Sequence, residues 1–374
     1  MMGHANGGGR TLGIPDISLI GLMFLSACGG SGPSSDAATD DGGVVREWTV
    51  ILTPQTSVTT ALLQAVSPVD DQVVWASGHE GTYVRSLDGG ASWTAAVMVG
   101  EEKLQFRDVE AFDSNTAYLM SAGSGELSRI YRTDDGGQSW QHQFTAQHPD
   151  AFLDCMAFWD RDRGLAYGDE VDGVPFILRT VDGGDHWNRV PAAGLPAALD
   201  GEGGFAASGT CLITLEGGKA WIATGAGSHP RVLRTEDWGQ SWRAADVPVV
   251  GGVASGLATI QMGIDGRGLA LGGTVGRDTL RTENVAVTSD GGASWRQGAH
   301  PVMLGPIYGS ALWDGGGVGR VVAVGPRGMD WSGDLGESWQ TVDTQTYWAV
   351  AFSRSGVGWA VGPKGRITRL GFGN

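Results

Sequence analysis

Ser86-Leu87-Asp88-Gly89-Gly90-Ala91-Ser92-Trp93 is the stretch that decides the fold, because its form returns five more times. The other copies are Thr133 to Trp140, Thr180 to Trp187, Thr235 to Trp242, Thr288 to Trp295 and Ser332 to Trp339. Their acids are Asp88, Asp135, Asp182, Asp237, Asp290 and Asp334, spaced by 47, 47, 55, 53 and 44 residues. In every copy a Gly stands two residues after the Asp and a Trp five after it, at Trp93, Trp140, Trp187, Trp242, Trp295 and Trp339. Self-similarity at such a period marks a repeat architecture. The residue types predict a turn. A short carboxylate can accept backbone N–H groups two residues on, and Gly supplies positive φ. The Trp then opens the next strand and buries a large ring between repeats. These aspartates are expected to be structural.

Working outward, each copy is preceded by short β runs separated by turn signals. Val73-Val74-Trp75-Ala76 leads to Thr82-Tyr83-Val84-Arg85, and Trp359-Ala360-Val361-Gly362 leads to Arg366-Ile367-Thr368. A further run lies upstream, such as Asp108 to Phe112. Four strands in about 47 residues is the size of a propeller blade. Residues 46–374 number 329, which is 47 for each of seven blades. The segment 348–370 has three strands and no Asp turn, whereas Glu47-Trp48-Thr49-Val50 looks like the strand that follows one. The expected fold is therefore all-β: a seven-bladed propeller of four-stranded blades. The N-terminal strand, residues 46–52, completes the C-terminal blade and closes the ring.

Composition agrees. Gly is 63 of 374 residues and Trp 15, with 41% apolar residues. Abundant aromatics argue against disorder, and so much Gly argues against a helical bundle. The net charge of −16 excludes nucleic acid as a partner, since phosphates are neutralised by Lys and Arg. Gly225-Ala226-Gly227 lacks the third Gly and the strand-to-helix setting of a dinucleotide site. There is also no P-loop, G-x-S-x-G or H-E-x-x-H. No cofactor and no metal are expected.

Ile17 to Ala27 is an apolar run too short to span a bilayer, with Arg10 ahead of it. It ends Leu25-Ser26-Ala27-Cys28, which resembles the lipobox of bacterial lipoproteins. That resemblance implies a signal peptide over 1–27, lipidation at Cys28, and export. Gly at position 29 implies sorting to the outer membrane. Residues 28–45 read as a flexible tether, and 46–374 as the propeller. Contact with the membrane is expected through the lipid only. Cys155 and Cys211 are placed on neighbouring inner strands about three residues out of step, too far apart to bridge. They are expected to be buried free thiols.

The repeated pattern, S/T-x-D-x-G-x-S/T-W, resembles the Asp-box, or bacterial neuraminidase repeat. His186 and Trp238 depart from it in the third and fourth copies. The second strands, such as Gly358-Trp359-Ala360-Val361-Gly362, are similar to those of photosystem II stability and assembly factor-like proteins. That resemblance implies a non-catalytic propeller that binds protein. The Asp-box also occurs in sialidases, but their Arg-Ile-Pro is absent here: Arg129-Ile130 and Arg366-Ile367 do not precede Pro. Other glycoside hydrolysis would need paired carboxylates, and Asp108, Asp154 and Asp169 are candidates to converge.

Propeller sites gather on the face where chains enter the inner strands. The predicted ligand or partner patch lies at the mouth of blades 2–4, with Arg107, Asp108, Glu110, Arg129, Asp154, Asp169 and Glu202. Tyr308, Tyr347 and Trp348 are placed near the starts of inner strands 6 and 7. Asp169, Glu170 and Asp172 could offer oxygens to Ca²⁺. Without a 12-residue calcium loop they read as solvated acids. The expected protein is a monomeric, outer-membrane-tethered propeller that holds an envelope protein. A carbohydrate-active or glycan-binding protein is the alternative.

Overall fold

The computed structural model describes residues 48–315 and 319–373. The expected signal peptide, Cys28 and tether lie outside the described residues. Seven four-stranded antiparallel sheets follow one another along the chain. The inner strands are Leu63–Pro68, Phe106–Ala111, Leu153–Phe158, Leu212–Leu215, Ser255–Met262, Gly309–Trp313 and Ala349–Phe352. Each inner strand lies beside that of the next blade, and the last lies beside the first, so the sheets form a closed ring. Thr49–Thr56 pairs with Arg366–Gly373 and supplies the outer strand of blade 7, as the sequence predicted.

The Asp turns join the third strand of a blade to its fourth. Their bonding is more extensive than residue spacing suggested. In the first, Asp88 Oδ1 accepts the Ser92 N–H (2.8 Å), four residues on rather than two, and Oδ2 accepts the Ser92 hydroxyl (2.5 Å). The Ser86 hydroxyl donates to Asp88 (2.9 Å) and accepts the Gly90 N–H (2.7 Å). Both residues after the Asp have positive φ, including Trp238 and Leu335, where no Gly is present. Such bonds favour the charged carboxylate. Chiefly through the hydroxyls of Ser139 and Ser294, they draw Asp135 and Asp290 down to about 2.

The apolar cores lie at the seams between blades. Trp93 packs with Trp359 and Val361 of blade 7, and Trp339 with Leu269 and Val287 of blade 5. Trp93, Trp187, Trp242 and Trp339 are buried; Trp140 and Trp295 are partly so. Polar staples cross the seams. The Tyr118 hydroxyl donates to the Gly183 carbonyl (2.7 Å) and Trp221 Nε1 to the Gly291 carbonyl (2.9 Å), each in the next blade's Asp turn.

The cysteine expectation is overturned: Cys155 and Cys211 form a disulfide, with Cα atoms 6.0 Å apart. Counting from strand starts misjudged their level. The Thr214 hydroxyl donates to the Phe158 carbonyl (2.8 Å), which sets the two inner strands level at an offset of 56 residues. Cys155 and Cys211 are separated by the same 56 residues.

Candidate functional site

Residues 203–210, Gly-Gly-Phe-Ala-Ala-Ser-Gly-Thr, precede the inner strand of blade 4 and cross the mouth side of the ring as a plug. Their bonds reach across the ring. Gln64 of blade 1 donates to the Ala207 carbonyl (3.5 Å), and Arg107 of blade 2 to that of Ala206 (3.3 Å). The Gly204 N–H serves Asp154 and Asp169 of blade 3, both at 3.1 Å. On the other side, the Ser208, Thr210, Thr259 and Ser310 hydroxyls form a chain through blades 4, 5 and 6, each link 2.7 Å. Ala207 packs on Ala258 and Tyr308. Small residues make this crossing possible: a Cβ on Gly209, whose φ is +75°, would collide with the Asp108 carboxylate. The plug was not foreseen. Its trace in the sequence is the 55-residue spacing between Asp182 and Asp237, eight longer than the repeat.

Beside the plug, a cavity of about 470 Å³ opens between blades 2, 3 and 4. Arg107, Asp154, Asp169 and Glu202 of the expected patch line it together, with Phe152 and Phe205 as apolar walls that were not foreseen. Asp154 lies near the start of its inner strand and is 1% exposed. Asp169 lies late in the second strand of blade 3 and turns towards it. It is not one of three solvated acids. Glu170, by contrast, accepts the Gly173 N–H (2.7 Å) of the adjoining hairpin, where Asp172 and Gly173 both have positive φ, as a tight hairpin turn requires.

Asp154 and Asp169 both accept the Gly204 N–H. Burial, then the facing carboxylate, pushes Asp154 well above its ordinary value. Burial also raises Asp169. Burial thus favours a protonated pair above the ordinary carboxylate range. The charge of Arg107 nearby opposes this rise for Asp154, although its guanidinium hydrogen-bonds to Gln105 and the Ala206 carbonyl and not to either carboxylate.

Glu202 has its own partners, and the remaining expected residues lie outside this cavity. Glu202 is tied to Arg231 in a buried pair and accepts the Thr224 hydroxyl (2.8 Å) and the Leu199 N–H (3.0 Å). Arg129 lies apart from the cavity, paired with Glu101 at 2.8 Å beside the Tyr131 hydroxyl. Asp108 and Glu110 line a second space of about 290 Å³ with Ser208 and Thr210. Asp108 accepts the Val109 and Met156 N–H groups at 2.8 and 2.6 Å. Burial drives its carboxyl well up and that of Glu110 to about 8. Tyr308 and Trp348 stack with centroids 4.5 Å apart at the mouth. Tyr347 is turned into the blade seam, its hydroxyl donating to Asp343 (2.8 Å).

Two-carboxylate glycosidases hold their acids about 5 to 9.5 Å apart; Asp154 and Asp169 meet over one shared N–H. His79 at the mouth meets Gln64 rather than a hydroxyl or thiol.

No family model and no curated protein matches this sequence. Solved structures share the fold. YCF48 bound to D1 peptide has a TM-score of 0.59 at 18% identity, covering 86% of this chain and 96% of that one. YCF48 from Cyanidioschyzon merolae has a TM-score of 0.61 at 15% identity, covering 85% and 98%. The GH74 enzyme of Niastella koreensis has a TM-score of 0.59 at 13% identity. This chain covers 53% of that enzyme's length. The chain is a seven-bladed β-propeller similar in fold to YCF48 and to GH74 enzymes.

Proposed function

We propose that the protein is a non-catalytic propeller, exported and tethered to the outer membrane through Cys28. It acts as a monomer that binds a segment of an envelope protein at the mouth of blades 2–4. The observation that carries this reading is the cavity beside the plug. It joins apolar walls, Phe152 and Phe205, to a few fixed polar groups, the usual composition of a binding site. Its two buried aspartates converge on one N–H of the plug, which crosses the mouth. YCF48, a propeller of similar fold, has been solved with a D1 peptide, so this architecture can hold a peptide.

The test is affinity capture from solubilised envelopes with the intact chain. The comparison is an Arg107→Ala/Asp154→Ala/Asp169→Ala variant whose folding is checked by thermal unfolding. One stoichiometric protein retained by the parent and lost by the variant is the expected result. No retained protein, together with binding of a glycan array, would replace this reading with the carbohydrate alternative.

A further inference from the structure

Resting on that reading, we propose that the cavity beside the plug receives a cationic side chain, Lys or Arg, from the bound segment. The buried carboxylates of blades 2 to 4 near the plug are treated in three ways. Glu202 receives Arg231, a hydroxyl and an N–H. Asp108 receives two N–H groups of its own and the neighbouring strand. Asp154 and Asp169 present four oxygens and receive one N–H between them. Neither has an ion-pair partner among the described residues. Asp154 is 1% exposed and lines the cavity with Asp169.

The surroundings favour a cation over a neutral donor. Glu170 and Asp150 add two negative charges at the cavity rim against the one positive charge of Arg107, whose guanidinium is bonded to Gln105 and the plug. Phe152 and Phe205 suit the methylene stem of Lys or Arg, which prefers apolar contact along its length. A cavity of about 470 Å³ falls within the range of roughly 300–1,000 Å³ typical of ligand sites.

Entry of a cation would stabilise both carboxylates in their charged form. The proton held between Asp154 and Asp169 would leave to solvent as the ammonium or guanidinium arrives. Tyr167, Glu202, Arg231 and Arg107 also face the pair, but Glu202 and Arg231 compensate each other. Binding should therefore strengthen as the pH rises, with proton release.

The experiment is calorimetric titration of the full chain with N-acetyl-lysine methylamide and N-acetyl-arginine methylamide. N-acetyl-methionine methylamide serves as the uncharged control of similar shape. Titrations near pH 7 in buffers of different ionisation enthalpy report the protons released. A cationic probe should bind roughly tenfold more tightly than the methionine probe. It should release protons and lose most of that advantage in Asp154→Asn and Asp169→Asn. Asp150→Asn at the rim should change affinity by less than about twofold. Equal binding of the three probes, no binding of either cation, or cation binding untouched by the amide substitutions would each overturn the proposal. Should the amide variants fail to fold, proton release by the unaltered protein decides. Partner capture by the amide variants at parental yield would retire this inference and leave the protein-binding reading standing.

Discussion

Removing the bridge between Cys155 and Cys211 tests how blades 3 and 4 are joined. The two residues are 56 apart in sequence and fully buried in the seam. Closing a loop of that length lowers the entropy of the unfolded chain enough to stabilise the fold by about 4 kcal/mol at 25 °C. A propeller of roughly 330 residues unfolds with an entropy of about 0.7 kcal/mol/K, so the loss should lower Tm by about 6 °C. The assay is differential scanning calorimetry of Cys155→Ala, Cys211→Ala and the double variant. Because either single change breaks the bridge, all three should lose nearly the same amount and the cycle should be strongly non-additive. Small, additive losses would refute the bridge. So would non-reducing peptide mapping that finds both residues as free thiols.

Three further outcomes follow from the same contacts. Glu202→Ala strands Arg231 in a buried site, and breaking such a pair should cost about 3–5 kcal/mol in denaturant unfolding. Gly209→Ala places a Cβ at φ +75° against Asp108; the backbone penalty of about 1–2 kcal/mol, plus the collision, should lower the unfolding midpoint. Stability should also depend on pH in two opposing ways. Burial raises Glu110 from 4.5 to about 8, and raises Asp108, Asp154 and Asp169. Their contribution is complete below the unfolded values and is lost as pH climbs through the folded ones. Asp135 and Asp290, lowered from 3.8 to about 2, contribute above 3.8 and lose that contribution as pH falls towards 2. Unfolding free energy should therefore peak near pH 4 and decline towards pH 8. Glu110→Gln should remove up to about 1.4 kcal/mol per pH unit from that decline, the slope for one proton. A Tm profile unchanged by Glu110→Gln would show that Glu110 ionises freely in the channel.

The fold was legible because its signal is local and repeated. Each Asp turn sits within eight residues, and six copies fix the blade period without reference to anything distant. Blade 7 was legible for the same reason, since Trp48 stands where a turn Trp would. The site was legible in part. Arg107, Asp154, Asp169 and Glu202 were placed together by assigning them to one face, which strand order alone decides. What escaped depends on levels between blades. The disulfide needs the offset set by Thr214 and Phe158, which strand boundaries do not report. The plug needs knowledge that Gly203 to Thr210 crosses the ring instead of bulging outward, and small residues permit both paths. Arg129 was misplaced because a residue at the start of a third strand, Arg129–Thr133, lies outward from the channel.

The central claim is that the mouth face, and not the face of the Asp turns, meets a protein partner. Site-specific photo-crosslinking in intact cells tests it directly, with the probe at Asp150 on the cavity rim or at Val181 in an Asp turn. Both positions are exposed. The account predicts one discrete protein adduct from position 150 and none from position 181. An adduct from position 181 alone would place the partner on the opposite face and contradict it.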